Sequence, residues 1–227
     1  MSRYFDEDAF AFFRALARNN NRPWFHAHKA RYLSAVRDPF LRLIADLAGP
    51  LAQLAPHFRA DPKPVGGSLF RIQRDTRFAA DKKPYKTWAG ARFPHARARE
   101  VPAPSFYLHL EPGRCFVGAG LWHPEPAVRR RVREFMVDNP GAWSAVTAAP
   151  AFRRRFALDG DSLKRPPRGY LPDHPLIEDL KRQDFVATRA LDDALFTGPR
   201  LLRGTVSSFQ GLAPFVDYLC AALDLEL

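Results

Sequence analysis

Cysteine is nearly absent from this chain: of 227 residues only Cys115 and Cys220 carry a thiol. Both sit in apolar runs, which excludes a disulfide framework and predicts reduced core cysteines in a cytoplasmic protein. No run approaches the ~20 continuous apolar residues of a membrane helix, so no membrane partner is expected. The start is acidic (Asp6, Glu7, Asp8) where an export signal would be basic, which predicts no signal peptide. Walker-type phosphate loops are missing, and Gly118-Ala119-Gly120 lacks the third glycine of a dinucleotide fingerprint. Gly66-Gly67-Ser68 is not a nucleophile elbow, because its serine precedes a strand instead of following one. His26 and His28 lie two apart on a predicted helix and point to different sides. His109 has no Cys, His or Asp at ligand spacing, and Asp159 and Asp161 flank a glycine in ordinary turn chemistry. No metal and no cofactor are therefore expected.

Acidic residues are also scarce, 24 against 35 Lys and Arg, for a net charge of +11. That balance suits a nucleic-acid partner. It equally suits an arginine-rich composition in which arginine stands for lysine on a solvated surface. The hydrophobic share of 46% is enough for a chain of this length to bury roughly 70% of its unfolded surface without a metal or disulfide.

Phe5, Asp6 and Phe10 form a hydrophobic staple around an aspartate N-cap, and Phe10, Phe13, Leu16 and Ala17 follow at helical spacing. Asn21 caps a second helix with Pro23 in its first turn. Pro39 is expected to interrupt, and Phe40, Leu43, Ile44, Leu47 and Leu51 continue as an amphipathic helix, so residues 1–56 read as helical. A first strand is predicted near Leu69 to Arg74, with Phe70 and Ile72 inward and Arg71 and Gln73 outward. Residues 89–103 look irregular. Pro104 to Glu111 and Arg114 to His123 read as strands joined by a type II turn at Glu111-Pro112-Gly113-Arg114. Further helices are predicted after Pro124-Glu125-Pro126, after Asn139-Pro140, at Leu176 to Arg182 and from about Pro214. Residues 157–175 read as a loop and Asp184 to Ala190 as a strand. The expected architecture is an α+β fold, one domain over residues 1–227. Its antiparallel sheet contains a central hairpin at about 104–123, packed with N-terminal and C-terminal helices.

The hairpin can be sorted by face. Pairing Glu111 with Arg114 places Tyr107 opposite Gly118 and His109 opposite Phe116. Phe106, Leu108, Leu110, Cys115, Val117, Ala119 and Leu121 then form a core face. Tyr107, His109, Glu111, Arg114, Phe116, Gly118, Gly120 and Trp122 form the other, with glycines leaving a shallow floor.

Chemical character concentrates between Ser68 and Trp88. Arg71, Arg74, Arg77, Lys82, Lys83 and Lys86 face only Asp75 and Asp81, a local excess of four positive charges interleaved with Phe78, Tyr85 and Trp88. Arginine forks suit phosphate or carboxylate, and the rings suit stacking. The ordinary alternative is a solvated loop tied by Arg–Asp pairs. The candidate ligand residues are Arg71, Arg74, Asp75, Arg77, Asp81, Lys82, Tyr85, Lys86, Tyr107, His109 and Trp122. Lys164 and Arg165 join them from a second basic loop with the potential to converge on the first. Tyr107 and His109 are the candidate proton-transfer groups.

Several motifs in order carry a resemblance: Asn20-Asn21-Arg22-Pro23-Trp24-Phe25 with His28-Lys29 and Tyr32; Ser68-Leu69-Phe70-Arg71-Ile72 with Arg74-Asp75-Thr76-Arg77-Phe78; Asp81-Lys82 with Pro84-Tyr85-Lys86-Thr87; Phe106-Tyr107-Leu108-His109 with Pro112-Gly113; Gly118-Ala119-Gly120 with Trp122 and Pro124; Leu163-Lys164-Arg165 with Gly169-Tyr170. Together they resemble the domain of unknown function 2461 family of bacteria and fungi, over nearly the whole chain. Ala79 stands where that pattern has serine after Phe78. The resemblance implies one continuous domain with the basic loop as part of the pattern, and no activity. Three readings follow: a site for a small anionic ligand, phosphorylated or carboxylated and with scope for catalysis; a nucleic-acid module using Arg129 to Arg133 and Arg153 to Arg155; or a non-catalytic protein-interaction domain.

Overall fold

The computed structural model describes residues 3–227 and is α+β. The acidic first turn of α1 (Glu7–Arg18) is capped by Asp6, whose side chain accepts from the Asp8 N–H. Asn21 caps α2 (Arg22–Ala27) through the Trp24 N–H, with Pro23 in the first turn. Helix α3 (Lys29–Tyr32) runs through a π-helical stretch, Leu33–Arg37, into α4 (Asp38–Leu54). Pro39 does not interrupt. It occupies the first turn of α4, where the looser π-turn before it has already released the hydrogen bond a proline removes.

Five strands follow in one antiparallel sheet: β1 (Ala89–Pro94), β2 (Ser105–Leu110), β3 (Phe116–Leu121), β4 (Ala157–Asp159) and β5 (Phe185–Ala190), in the order β1-β2-β3-β5-β4. Between them lie α5 (Pro126–Asp138), α6 (Pro140–Thr147), α7 (Pro150–Arg153) and α8 (Ile177–Leu180); α9 (Asp193–Phe196) and α10 (Leu201–Ala221) close the chain. The β2–β3 pair has the expected register, Tyr107 opposite Gly118 and His109 opposite Phe116. Its turn is closed by the Arg114 N–H to the Glu111 carbonyl at 2.9 Å, with Gly113 at φ +73°, a conformation glycine adopts without a Cβ clash.

Four further expectations need correction. Residues 69–74 are not a strand but an irregular edge with two single bridges, Leu69 to Ala91 and Gln73 to Tyr85. Ala91 faces the core, so its partner Leu69 turns inward and Phe70 turns outward, leaving Phe70 39% exposed while Ile72 stays buried. The strand instead forms at 89–94, in the segment read as irregular, and a short strand at 157–159 lies in the segment read as loop. The last helix starts thirteen residues before Pro214, at Leu201. An interior proline costs ~3 kcal/mol, but Pro214 is exposed, so water reaches the carbonyl it leaves unpaired.

One face of the sheet carries the core. Phe93 of β1 and Phe106 of β2 pack on Phe209 of α10 with ring centroids 5.4 and 4.9 Å apart. Helix α4 packs on α10 in turn, and Phe5, Phe10, Phe40 and Phe196 extend the same buried cluster to the N-terminal helices. Among the described elements α10 is the one helix with broad contact to the sheet. On the opposite face, with Arg92, Tyr107, Gly118 and Thr188 in one row across four strands, no described helix packs broadly. No described helix is long and apolar enough to cross a membrane.

Candidate functional site

The face opposite α10 meets the basic loop through aromatic rings. Phe70 lies 6.0 Å from Tyr107, Trp88 lies 4.9 Å from His109, and Phe116 stacks on His109 at 4.6 Å. Tyr107 and His109 are two apart on β2 and so share a face; Glu111, two further on, shares it too. The result is a hydrogen-bonded chain: the Tyr107 hydroxyl 2.8 Å from His109 Nδ1, and His109 Nε2 3.3 Å from Glu111 Oε2. Gly90, on β1 opposite His109, makes room for it, since a Cβ there would lie 2.2 Å from the Tyr107 hydroxyl.

His109 is 6% exposed, and burial lowers its pKa below the ordinary 6.5 despite the Glu111 carboxylate, which pulls the other way, while Arg114 adds a further lowering. Burial first, then the Glu111 charge, raises Tyr107. Both shifts favour a neutral imidazole beside a neutral phenol at neutral pH. Because the folded protein protonates His109 at lower pH than the unfolded chain does, its contribution to stability is complete above about pH 6.5 and is lost as the pH falls. His95, also buried and lowered, has the same sign. Replacing His109 with Gln is expected to flatten the fall of melting temperature between about pH 7 and 5, leaving the His95 part. An unchanged pH profile would show that His109 does not titrate in this range.

The candidate cations divide into paired and unpaired. Arg77 holds Asp75 through two hydrogen bonds, 2.7 and 3.0 Å, on an exposed turn. Arg74 holds Asp81 at 2.8 Å, and Lys82 Nζ donates to the Thr76 carbonyl at 3.0 Å. Lys86 is different. Its Nζ donates to the carbonyls of Arg71 and Gln73 at 2.5 and 3.1 Å and lies 5.4 Å from the centre of the Trp88 ring. Burial lowers its pKa, and the Arg71 and Arg74 charges lower it further. A cleft of about 260 Å³ lies here, lined by Arg74, Asp81, Lys83, Lys86, Thr87 and Trp88 among others. Among the described residues no carboxylate pairs with Lys86, Arg71 or Arg92. Arg92 is the functional candidate missed in the sequence. It sits across the β1–β2 register from Tyr107, and surrounding protein lowers its pKa although the residue is exposed.

Tyr85 borders the same cleft, but it is buried and stacks on Phe25 at 4.1 Å, while Asn20 bonds its backbone N–H and carbonyl, so its ring is a packing group. Three candidates lie elsewhere. Lys164 and Arg165 are exposed in a loop that does not line the Trp88 cleft; their neighbours Arg168 and Tyr170 face α5 across a separate groove. Trp122 is 64% exposed at the far end of β3 and packs on His123.

The structure also gathers His123, Asp161 and Asp184, whose ligand-type atoms lie within 4.8 Å of one another. Asp184 is fully buried, and its two oxygens accept from the backbone N–H groups of His123 (2.5 Å) and Asp161 (2.9 Å). His123 Nδ1 adds a contact at 3.1 Å. Both oxygens are thus committed to holding two loops together, which makes the cluster a clamp.

The chain belongs to the family described as Conserved hypothetical protein (DUF2461), which matches residues 8–218. No curated protein and no solved structure matches it.

Proposed function

We propose that this protein binds a small anionic ligand, phosphorylated or carboxylated, at the Trp88 edge of the sheet face opposite α10. Lys86, Arg71 and Arg92 supply the charge, and Tyr107 with His109 is the pair placed to move a proton. One observation carries the reading: among the described residues these three cations have no carboxylate partner, beside the Tyr107–His109–Glu111 chain, while Arg74 and Arg77 are each paired with an aspartate. Burial and the Arg71 and Arg74 charges both disfavour the charged form of Lys86, a penalty that a bound anion relieves.

The arginines of α5 give the nucleic-acid reading less support. Arg133 is buried on the carbonyls of Leu180 and Arg182, Arg131 pairs with Asp224, and Arg130 lies 3.9 Å from Glu134. A thermal-shift panel of phosphate, pyrophosphate, citrate and a short oligonucleotide tests the choice. At about 100 times Kd a ligand adds ~2.7 kcal/mol, which raises the melting temperature by roughly 5–10 °C in a chain this long. A shift with small anions at constant ionic strength is expected. A shift with the oligonucleotide alone would reverse the assignment, and none at all would remove it.

A further inference from the structure

We infer that Tyr107 makes this site selective for an oxyanion that still carries a proton, such as hydrogen phosphate, over a fully deprotonated one of the same shape. This rests on the anion site proposed above and adds its chemical class.

Glu111 sets the direction of the chain. An ionised carboxylate only accepts, so His109 donates from Nε2 across the 3.3 Å separation. A neutral imidazole has a single N–H, which leaves Nδ1 as a lone pair; the Tyr107 hydroxyl at 2.8 Å therefore donates to it. That commits the only proton of the phenol. Its oxygen keeps free lone pairs, and among the described residues no other group donates to them. The oxygen lies directly over Gly90 of β1, two residues from Arg92 on the same face.

An anion held by Arg92 beside Tyr107 thus meets a hydrogen-bond acceptor. An oxyanion without a proton sets lone pair against lone pair there, in a site already partly closed to water. One with an O–H group donates and satisfies both. Sites that hydrogen-bond a ligand hydroxyl discriminate strongly against analogues that lack it, because the site's own polar group is left unpaired.

Inorganic phosphate and sulfate are the direct probes, compared by calorimetric titration at about pH 7.5, where phosphate keeps an O–H and sulfate has none. Phosphate is expected to bind at least about tenfold more tightly, although sulfate carries the greater charge. In Tyr107→Phe, which deletes the acceptor, the two anions should bind within about twofold of each other. Equal binding by the unmodified protein, or a preference that survives in Tyr107→Phe, overturns the inference and leaves the anion site standing. Binding of neither anion overturns the anion site and this inference with it. Should Tyr107→Phe fail to fold, the nitrogen resonances of His109 in the unmodified protein decide: a proton on Nε2 is expected, and a proton on Nδ1 reverses the chain and overturns the inference.

Discussion

Asp184→Ala is expected to cost about 3 kcal/mol of stability and to lower the melting temperature by roughly 6–12 °C. The side chain is completely buried, and what it does there is specific. Its Oδ1 receives the His123 N–H at the end of β3, in a residue whose φ is +47°; its Oδ2 receives the Asp161 N–H beyond β4. Those loops leave the sheet at the same end, and no other described side chain bonds these two N–H groups. The alanine orphans both donors and opens a void against Gly160, where even a Cβ would lie 2.4 Å from that of Asp184. Orphaned donors cost ~1–3 kcal/mol each, less where water reaches them. Asp184→Asn keeps one acceptor oxygen and should lose about half as much. Urea denaturation of the two variants gives the comparison. A value for Asp184→Ala within ~0.5 kcal/mol of the parent, the range of neutral surface changes, would mean that water replaces the carboxylate.

The second large effect concerns binding. Arg92→Gln is expected to weaken phosphate or pyrophosphate binding about 10- to 100-fold, the worth of one charge-assisted hydrogen bond at ~1.5–3 kcal/mol. Lys86→Gln should do the same, but the two substitutions are not equally clean. Lys86 Nζ ties the Arg71 and Gln73 carbonyls together, so its loss also loosens the edge segment that carries Arg71. Arg92 bonds no described side chain or carbonyl, and it is exposed. Its replacement should leave urea stability within ~0.5 kcal/mol while removing affinity. A residue that matters for binding and not for folding separates a site from a merely crowded surface.

Much of the architecture was legible because it rests on short-range rules. Proline followed by glycine between alternating runs defined the β2–β3 hairpin, and period-two alternation sorted its faces residue by residue. The same alternation places Glu111 on the side of Tyr107 and His109, so the hydrogen-bonded chain was within reach of the sequence. Arg92 was not. Gly90 and Pro94 break the appearance of a strand in β1, yet Gly90 is there to admit Tyr107, and Pro94 ends an edge where its missing N–H is not needed. Leu69 to Arg74 failed in the opposite way. It reads as a strand, but its pairing is split between Ala91 and Tyr85, which turned Phe70 outward. Tyr85 looked like exposed chemistry because local charge says nothing about Asn20, 65 residues away, which fastens it to the N-terminal helices. Asp184 gave no signal, since its partners come from loops 23 and 61 residues distant.

The most direct measurement is a pair of calorimetric titrations of inorganic phosphate into the unmodified protein and into Arg92→Gln, at about pH 7.5 and fixed ionic strength. Saturable binding by the first and at least tenfold weaker binding by the second, with both equally stable in urea, is the predicted result. Equal affinity in the two proteins, or no binding to either, would contradict an anion site built on Arg92 and Tyr107.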